Sequence, residues 1–288
     1  MKPLRLGLCQ WGVSRTALAD GSLARKLDAI IAEAAPYADL LVLPEYFAME
    51  AFGRPEDSMA ELNAACDHAP ALLALLRQTA QRHQIWLLGG TLPFRDGNRV
   101  INRAPFIAPD GKLAFQDKHV MTRFETESWQ VSPGAPPGIF ATPWGRIGVA
   151  ICYDMEFPTL VRAQAEAGAW LILGPSCTDT ISGFNRVWVS ARARALENQC
   201  YVGICPTVGD APWSATLDHN RGFAAIAGPI DRGFPPDGIL AQGTLDEPGW
   251  VFATLDPALL AEARENGAVR NHRDWPAPPP PPEAKPFG

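Results

Sequence analysis

Cys152 occupies a position where a thiol could serve as a nucleophile. It follows the apolar run Gly148-Val149-Ala150-Ile151 and precedes Tyr153-Asp154-Met155-Glu156-Phe157-Pro158, in which proline can take the first turn of a helix. This order puts the sulfur on a sharp strand-to-helix turn. Backbone donors and the positive end of the helix dipole would favour thiolate there, and thiolate is the competent nucleophile. The alternative is a small buried cysteine at a strand end, which is the reading for Cys9, Cys177, Cys200 and Cys205 because nothing near them in sequence suggests activation.

A nucleophilic thiol needs a base, and Glu45 is a candidate because it follows the apolar run Leu40-Leu41-Val42-Leu43-Pro44. A carboxylate at the end of a buried strand is costly to keep ionised. Desolvation raises its pKa toward the range useful for accepting a proton, unless a nearby cation opposes the shift. A structural salt bridge would use the same position equally well. Lys118 ends the strand-like stretch 111–117 ahead of the polar loop 119–132, where an ammonium could face a developing oxyanion. Most lysines remain solvated, so Lys118 gains interest only from its company. No histidine has a comparable setting, and His119 would point away from Lys118 if that segment is extended.

These residues need elements to hold them. Short apolar runs at 4–8 and 40–43 flank a stretch from 23 to 37 with helical spacing through Leu23, Leu27, Ile30, Ile31 and Ala34. A second helical stretch, 71–81, leads into a strand at 85–88 that Gly89 and Gly90 close. Segments 99–108 and 112–115 flank the turn Pro109-Asp110-Gly111, which predicts antiparallel strands and therefore a mixed sheet. Strands at 147–151, 170–173 and 201–204 alternate with helices at 158–167 and 185–199, and shorter strands follow at 223–226 and 250–253.

The chain has 288 residues, of which 47% are hydrophobic and 19% charged, the balance of a protein with a substantial core. One domain over residues 1–270 and a proline-rich tail over 271–288, with Pro276 and Pro278 to Pro282, are expected. The formal net charge of -6 and the lack of a basic stripe argue against a nucleic-acid partner. No apolar run approaches the roughly 20 residues needed to span a bilayer, and no signal-peptide core is evident, so a soluble, cytoplasmic protein without a membrane partner is expected. The six cysteines form no CxxC pair and are expected as free thiols, and the five histidines show no metal-site spacing. Neither a metal nor another cofactor is expected.

The motifs Leu43-Pro44-Glu45-Tyr46, Asp117-Lys118-His119 and Gly148-Val149-Ala150-Ile151-Cys152-Tyr153-Asp154, in this order and separation, closely resemble the nitrilase (carbon-nitrogen hydrolase) superfamily. Gly89-Gly90, Pro175-Ser176 and Ala193-Arg194-Ala195-Leu196-Glu197-Asn198-Gln199 extend the match across approximately residues 4 to 256. The resemblance implies an α/β fold, a four-layer alpha-beta-beta-alpha sandwich with mixed sheets. It also implies a homodimer or larger homo-oligomer, with 185–199 a candidate contact. Glu45 is then the base, Cys152 the nucleophile, and Lys118 with the Tyr153 backbone amide the oxyanion site. A second glutamate follows the lysine in many members, and the Glu-Ser-Trp context selects Glu127 over Glu125. Glu156 departs from the pattern, since many relatives carry a basic residue there, and the stretch 207–221, with Trp213 and His219, is poorly matched.

The expected function is hydrolysis of a small amide to a carboxylic acid and ammonia or amine through a Cys152 thioester, because Cys152-Tyr153-Asp154 resembles amide-cleaving branches. A nitrilase acting on a nitrile is the alternative on the same scaffold. A noncatalytic binding or scaffold protein is the alternative of another class.

Overall fold

Where apolar side chains occupy both alternating positions of a strand, the strand can be covered on both faces, and this organises the molecule. The computed structural model describes residues 2–277 together with Pro279, Pro280, Pro282 and Ala284; the rest of the expected tail, Pro278 and Pro281 included, lies outside the described residues. The first part of the chain runs β1 (Leu4–Gly12), α1 (Ser22–Ala34), β2 (Leu40–Leu43), α2 (Ser58–Arg82), β3 (Trp86–Gly89), β4 (Leu92–Asp96), β5 (Arg99–Ile107) and β6 (Leu113–Asp117). The short helix α3 (Arg123–Glu127) leads to β7 (Ile139–Thr142), β8 (Gly145–Val149), α4 (Pro158–Glu166), β9 (Leu171–Ser176) and α5 (Ile181–Asn198). The chain then forms β10 (Tyr201–Asp210), β11 (His219–Asn220), β12 (Ala225–Ala227), β13 (Ile239–Gln242), β14 (Gly249–Leu255) and α6 (Pro257–Asn266).

Two groups of strands result. In one, β2 lies parallel to β1 and to β3, while β14 and β5 add antiparallel neighbours. In the other, β8, β9 and β10 are mutually parallel in that order, with β7 and β12 antiparallel at either side. The groups join where Trp11 and Gly12 run parallel to Thr207 and Val208, which makes one curled, mixed sheet. Leu4, Leu6, Leu8, Leu40 and Val42 share a core with Val149, Leu171, Leu173, Val202 and Ile204 of the facing strands. The intervening residues Trp11, Leu41 and Leu43 pack instead with Leu23, Leu27, Leu72 and Leu76 of α1 and α2. Helices α4 and α5 cover the far side, through Val161, Phe184, Val187 and Ala191. The fold is the expected layered α/β arrangement.

Local differences have physical causes. Helix α2 begins at Ser58, well before the expected 71, capped by the Asp57 side chain, which accepts the Ala60 amide at 2.8 Å. Pro70 lies inside the helix; buried Leu62, Ala65 and Ala69 before it, and Leu72 and Leu76 after it, hold the helix through a residue that would ordinarily end it. Pro36 tightens the end of the expected first helix into a 3-10 turn over Ala35–Tyr37. Among the described residues no helix is long and apolar enough to cross a membrane.

Candidate active site

The three residues singled out by type and spacing come from different elements and converge at the carboxyl ends of strands, the usual ligand-binding side of parallel strands. Glu45 follows β2 by two residues, Lys118 directly follows β6, and Cys152 lies just beyond β8. All three are buried. They open into one cavity of about 740 Å³, also lined by Tyr46, Glu125, Trp129, Tyr153 and Cys177.

Tight backbone geometry fixes the first of these. Tyr46, directly after Glu45, has a left-handed backbone with φ 56°, and its amide donates to the Thr91 hydroxyl at 3.2 Å. Beside it Gly90 has φ 65°, and a β-carbon there would lie 2.2 Å from the Pro44 carbonyl oxygen, so only glycine allows the approach. Cys152 also adopts a left-handed conformation, with φ 46°, at the start of a 3-10 turn over Cys152–Glu156. That is the sharp turn the sequence predicts, and such strain is retained where the surroundings enforce it.

Lys118 lies between two carboxylates. Its ammonium donates to Glu45 Oε1 at 2.9 Å and to Glu125 Oε2 at 2.7 Å. Glu45 Oε2 accepts the Cys177 amide at 3.0 Å, and the Cys152 thiol donates to the Cys177 carbonyl at 3.7 Å. Asn102 donates from one side-chain nitrogen to both Glu45 Oε1 at 2.8 Å and Glu125 Oε1 at 3.3 Å. Glu125 also accepts from the Tyr46 hydroxyl at 2.9 Å and from the Thr122 amide and hydroxyl, each at 2.9 Å.

The second glutamate is therefore placed differently from the expectation. Glu127 points outward, 59% exposed, and pairs with Arg123 at 2.9 Å on the same face of α3. Glu125 turns inward and meets Lys118. The cause is local: Thr122 and Glu125 form a reciprocal capping box that folds the Glu125 side chain back over the start of α3. Thr122-Arg123-Phe124-Glu125 carries this signal in the sequence, as Arg123 and Glu127 carry the spacing of a helical surface pair.

Electrostatics divide the roles. Burial, the largest influence on Glu45, raises its pKa above the ordinary glutamate value, with Lys118 opposing and Glu125 adding to the rise. Burial pushes Glu125 in the same direction, but Lys118, the Thr122 amide and the Tyr46 hydroxyl outweigh it and hold Glu125 below its ordinary value. For Lys118, burial alone would favour loss of the proton; the carboxylates of Glu125 and Glu45 overcome it and keep the ammonium charged. Burial, and then the neighbouring Glu45, push the Cys152 thiol well above its ordinary value despite Lys118. The resting sulfur is thus a thiol facing a carbonyl, not the dipole-stabilised thiolate expected from the turn alone. To act as a nucleophile, such a thiol needs a base.

Two further groups carry no distinct sequence signal, and a third, Asp154, stands in the Cys152-Tyr153-Asp154 motif with no role assigned to it there. Asn102 reads as one polar residue in a strand, yet it has the parity of Ala104 and Phe106, which face the inter-sheet core. The Cys177 backbone is set by strand geometry and leaves no sequence signal. Asp154 is fully buried and accepts the His119 amide at 3.1 Å and the Val120 amide at 2.7 Å, tying the loop after Lys118 to the turn that carries Cys152. Glu156, noted as a departure, lies on the cavity wall and pairs with Arg186 of α5 at 3.3 Å. The poorly matched stretch contributes Ala215, Thr216, Asp218 and His219 to the same wall, whereas Trp213 packs against Gly53. Among the described residues no group of acidic, histidine or cysteine side chains could hold a metal ion.

A thiol, a buried carboxylate and a buried ammonium lining one cavity are groups that can support cysteine-dependent acyl transfer. The chain belongs to the carbon-nitrogen hydrolase family, whose model matches residues 5–265. It is 31% identical over 239 residues to the probable hydrolase YhcX of Bacillus subtilis, covering 82% of this chain but only 47% of that relative. Nit3 of Saccharomyces cerevisiae, a member of branch 10 of the nitrilase superfamily, superposes with a TM-score of 0.74 at 28% identity, covering 92% of this chain and 94% of that one. A glutamate-to-glutamine variant of the amidase from Nesterenkonia sp. AN1, with acrylamide added at its active-site cysteine, superposes with a TM-score of 0.71 at 25% identity, covering 91% and 96%.

Proposed function

We propose that the protein hydrolyses a small amide to a carboxylic acid and ammonia or an amine, through a thioester on Cys152. The observation that carries this reading is the buried row Glu45, Lys118, Glu125, which shares one cavity with the Cys152 thiol. Glu45 takes the thiol proton as the sulfur attacks the amide carbon. The carbonyl oxygen becomes an oxyanion beside Lys118 and the Tyr153 backbone amide. Two protons of the ammonium are engaged by Glu45 and Glu125, and the third has no acceptor among the described residues, so it is available to that oxyanion. Collapse expels the amine, which leaves with the proton held by Glu45. A water molecule, deprotonated by Glu45, then cleaves the thioester and restores the thiol.

Burial makes Glu45 a stronger proton acceptor than an ordinary glutamate, which supports its reading as the base, while the rise of the Cys152 thiol works against the transfer. The acrylamide adduct on the active-site cysteine of the Nesterenkonia amidase, a chain of similar fold, supports the reading of a reactive cysteine here. Charged groups on the wall, the Arg186–Glu156 pair together with Asp179 and Asp218, suit a substrate with a polar far end.

The test is ammonia release from a panel of omega-amides, aliphatic amides, N-carbamoyl amino acids and nitriles, comparing wild type with Cys152→Ala. Release from amides by wild type alone is expected; equal release by Cys152→Ala would remove the nucleophile assignment, and faster turnover of nitriles than of matched amides would overturn the bond assignment. The pH profile adds a sign. Glu45 must be ionised to act, so kcat/KM should fall as the pH drops through a value above the ordinary glutamate range, and a profile flat through that range would exclude Glu45 as the base.

A further inference from the structure

Asn102 stands in the middle of β5 with no exposed surface, and its side chain is the only neutral group that bridges the two active-site carboxylates among the described residues. Its two amide hydrogens are shared between Glu45 Oε1 and Glu125 Oε1. Its own oxygen, Oδ1, is buried and has no hydrogen-bond partner among the described residues. A buried acceptor left unmatched is uncommon and calls for a reason. Turning the amide over would not help, because Oδ1 would then face two carboxylate oxygens, acceptor against acceptor. The orientation is therefore dictated by the carboxylates, at the expense of the amide's own oxygen.

We propose that Asn102 is a positioning residue of the reaction, its side-chain amide holding the carboxylates of Glu45 and Glu125 in the arrangement that presents Glu45 to the Cys152 thiol. Lys118 cannot do this alone. It pulls on both carboxylates from one point, and its remaining proton is needed elsewhere in the cycle. A second donor on a rigid strand fixes Glu45 Oε1 in two directions, while the Cys177 amide fixes Oε2. A second ammonium in place of the amide would cancel the remaining negative charge of the pair, and a third carboxylate would crowd it with negative charge; a neutral double donor does neither. The ionisable groups around this point are Lys118 from the end of β6, Glu125 from α3, Tyr46 beside Glu45, and the thiols Cys152 and Cys177 beyond β8 and β9.

The inference rests on the reading of Glu45 as the base, and the experiment separates the two. Asn102→Leu removes the donors at similar volume, and Asn102→Asp keeps the shape while replacing the double donor with a carboxylate. With an amide that wild type turns over, Asn102→Leu should lower kcat about 10- to 100-fold, the size of one lost hydrogen bond to a charged group, with KM changed by no more than about threefold. The acidic limb of the pH profile should move upward, and further upward in Asn102→Asp. The second readout needs no substrate: the rate of Cys152 alkylation by iodoacetamide against pH, followed on the cysteine peptide by mass spectrometry, should show the same displacement. Activity lost only in proportion to the folded fraction, with both pH profiles unmoved, would reduce Asn102 to a structural residue, and so would full activity in Asn102→Leu. If Asn102→Leu does not fold, the shape-preserving Asn102→Asp carries the same readouts. If wild type cleaves no amide, the amidase reading fails, while the alkylation profile still decides the role of Asn102.

Discussion

Glu125 and Glu127 are two positions apart and do unrelated work, because a five-residue helix turns one toward Lys118 and the other toward solvent. The inward carboxylate receives four kinds of donor: an ammonium, a phenol, an amide pair on Asn102 and the Thr122 cap. The outward one has a single exposed arginine, a type of pair worth at most about 1 kcal/mol. Exchanging each for glutamine separates them. Glu125→Gln should lower kcat at least about 100-fold, since it removes a buried negative charge that holds Lys118 charged and oriented. Glu127→Gln should retain activity within about twofold, as expected for an exposed surface change. Parallel steady-state kinetics on one amide decide it, and equal losses would mean that α3 as a whole, not Glu125, is what the site requires. Glu45 and Cys152 are legible because each follows an apolar run, whereas Lys118 gains meaning only beside them. Glu125 is one of two candidates in its loop, and the motif context points to the other because the local cap decides which way each side chain turns; Asn102 is hidden because strand parity alone gives it its place.

At the scale of elements, alternating apolar runs made most strands and the helices between them visible, and Gly111 with φ 83° provides the turn that the antiparallel pair β5 and β6 required. Elements stabilised chiefly by tertiary packing were less visible. The first half of α2 lies before a proline, and β4 pairs, among the described residues, with β5 alone; α6 differs, since its Asp256 cap and first-turn proline are local signals. How the elements are joined matters more to the chemistry than where each begins. Asp154 links two of them, accepting amides from the loop after β6 while belonging to the turn after β8. Asp154→Ala leaves two backbone donors without their acceptor in a buried setting and should cost about 2 to 4 kcal/mol in stability. It should also lower kcat, because Lys118 precedes His119 and loses its anchor to the Cys152 turn. Asp154→Asn keeps an acceptor oxygen and should recover part of both. Thermal unfolding and kcat measured on the three proteins test the link; an unaltered melting temperature in Asp154→Ala would show that the loop is held by other contacts.

On the scale of the whole molecule, composition and alternation suffice for an α/β protein with a large core, whereas the boundary between body and tail was drawn from composition alone and placed at residue 270. Contacts beyond that point bear on the boundary. The His272 amide donates to Gln199 Oε1 at 3.2 Å, and its carbonyl accepts from Arg162 at 3.0 Å. The Arg162 guanidinium also lies over the Trp275 ring, 4.6 Å from its centroid. Arg162 belongs to α4 and Gln199 ends α5, so the segment crosses the outer helices that cover the second group of strands. Composition missed this because proline-rich sequence signals only what the backbone cannot form; it says nothing about an aromatic ring finding a cation on a neighbouring helix. A double-mutant cycle measures the attachment. Arg162→Ala and Trp275→Ala each remove one partner, and if the segment through Trp275 is part of the folded body, the coupling between them in denaturant unfolding should be about 0.5 to 1 kcal/mol. A coupling of zero would return the boundary to residue 270, leaving His272 and Trp275 in a tail whose contacts add nothing to the stability of the domain.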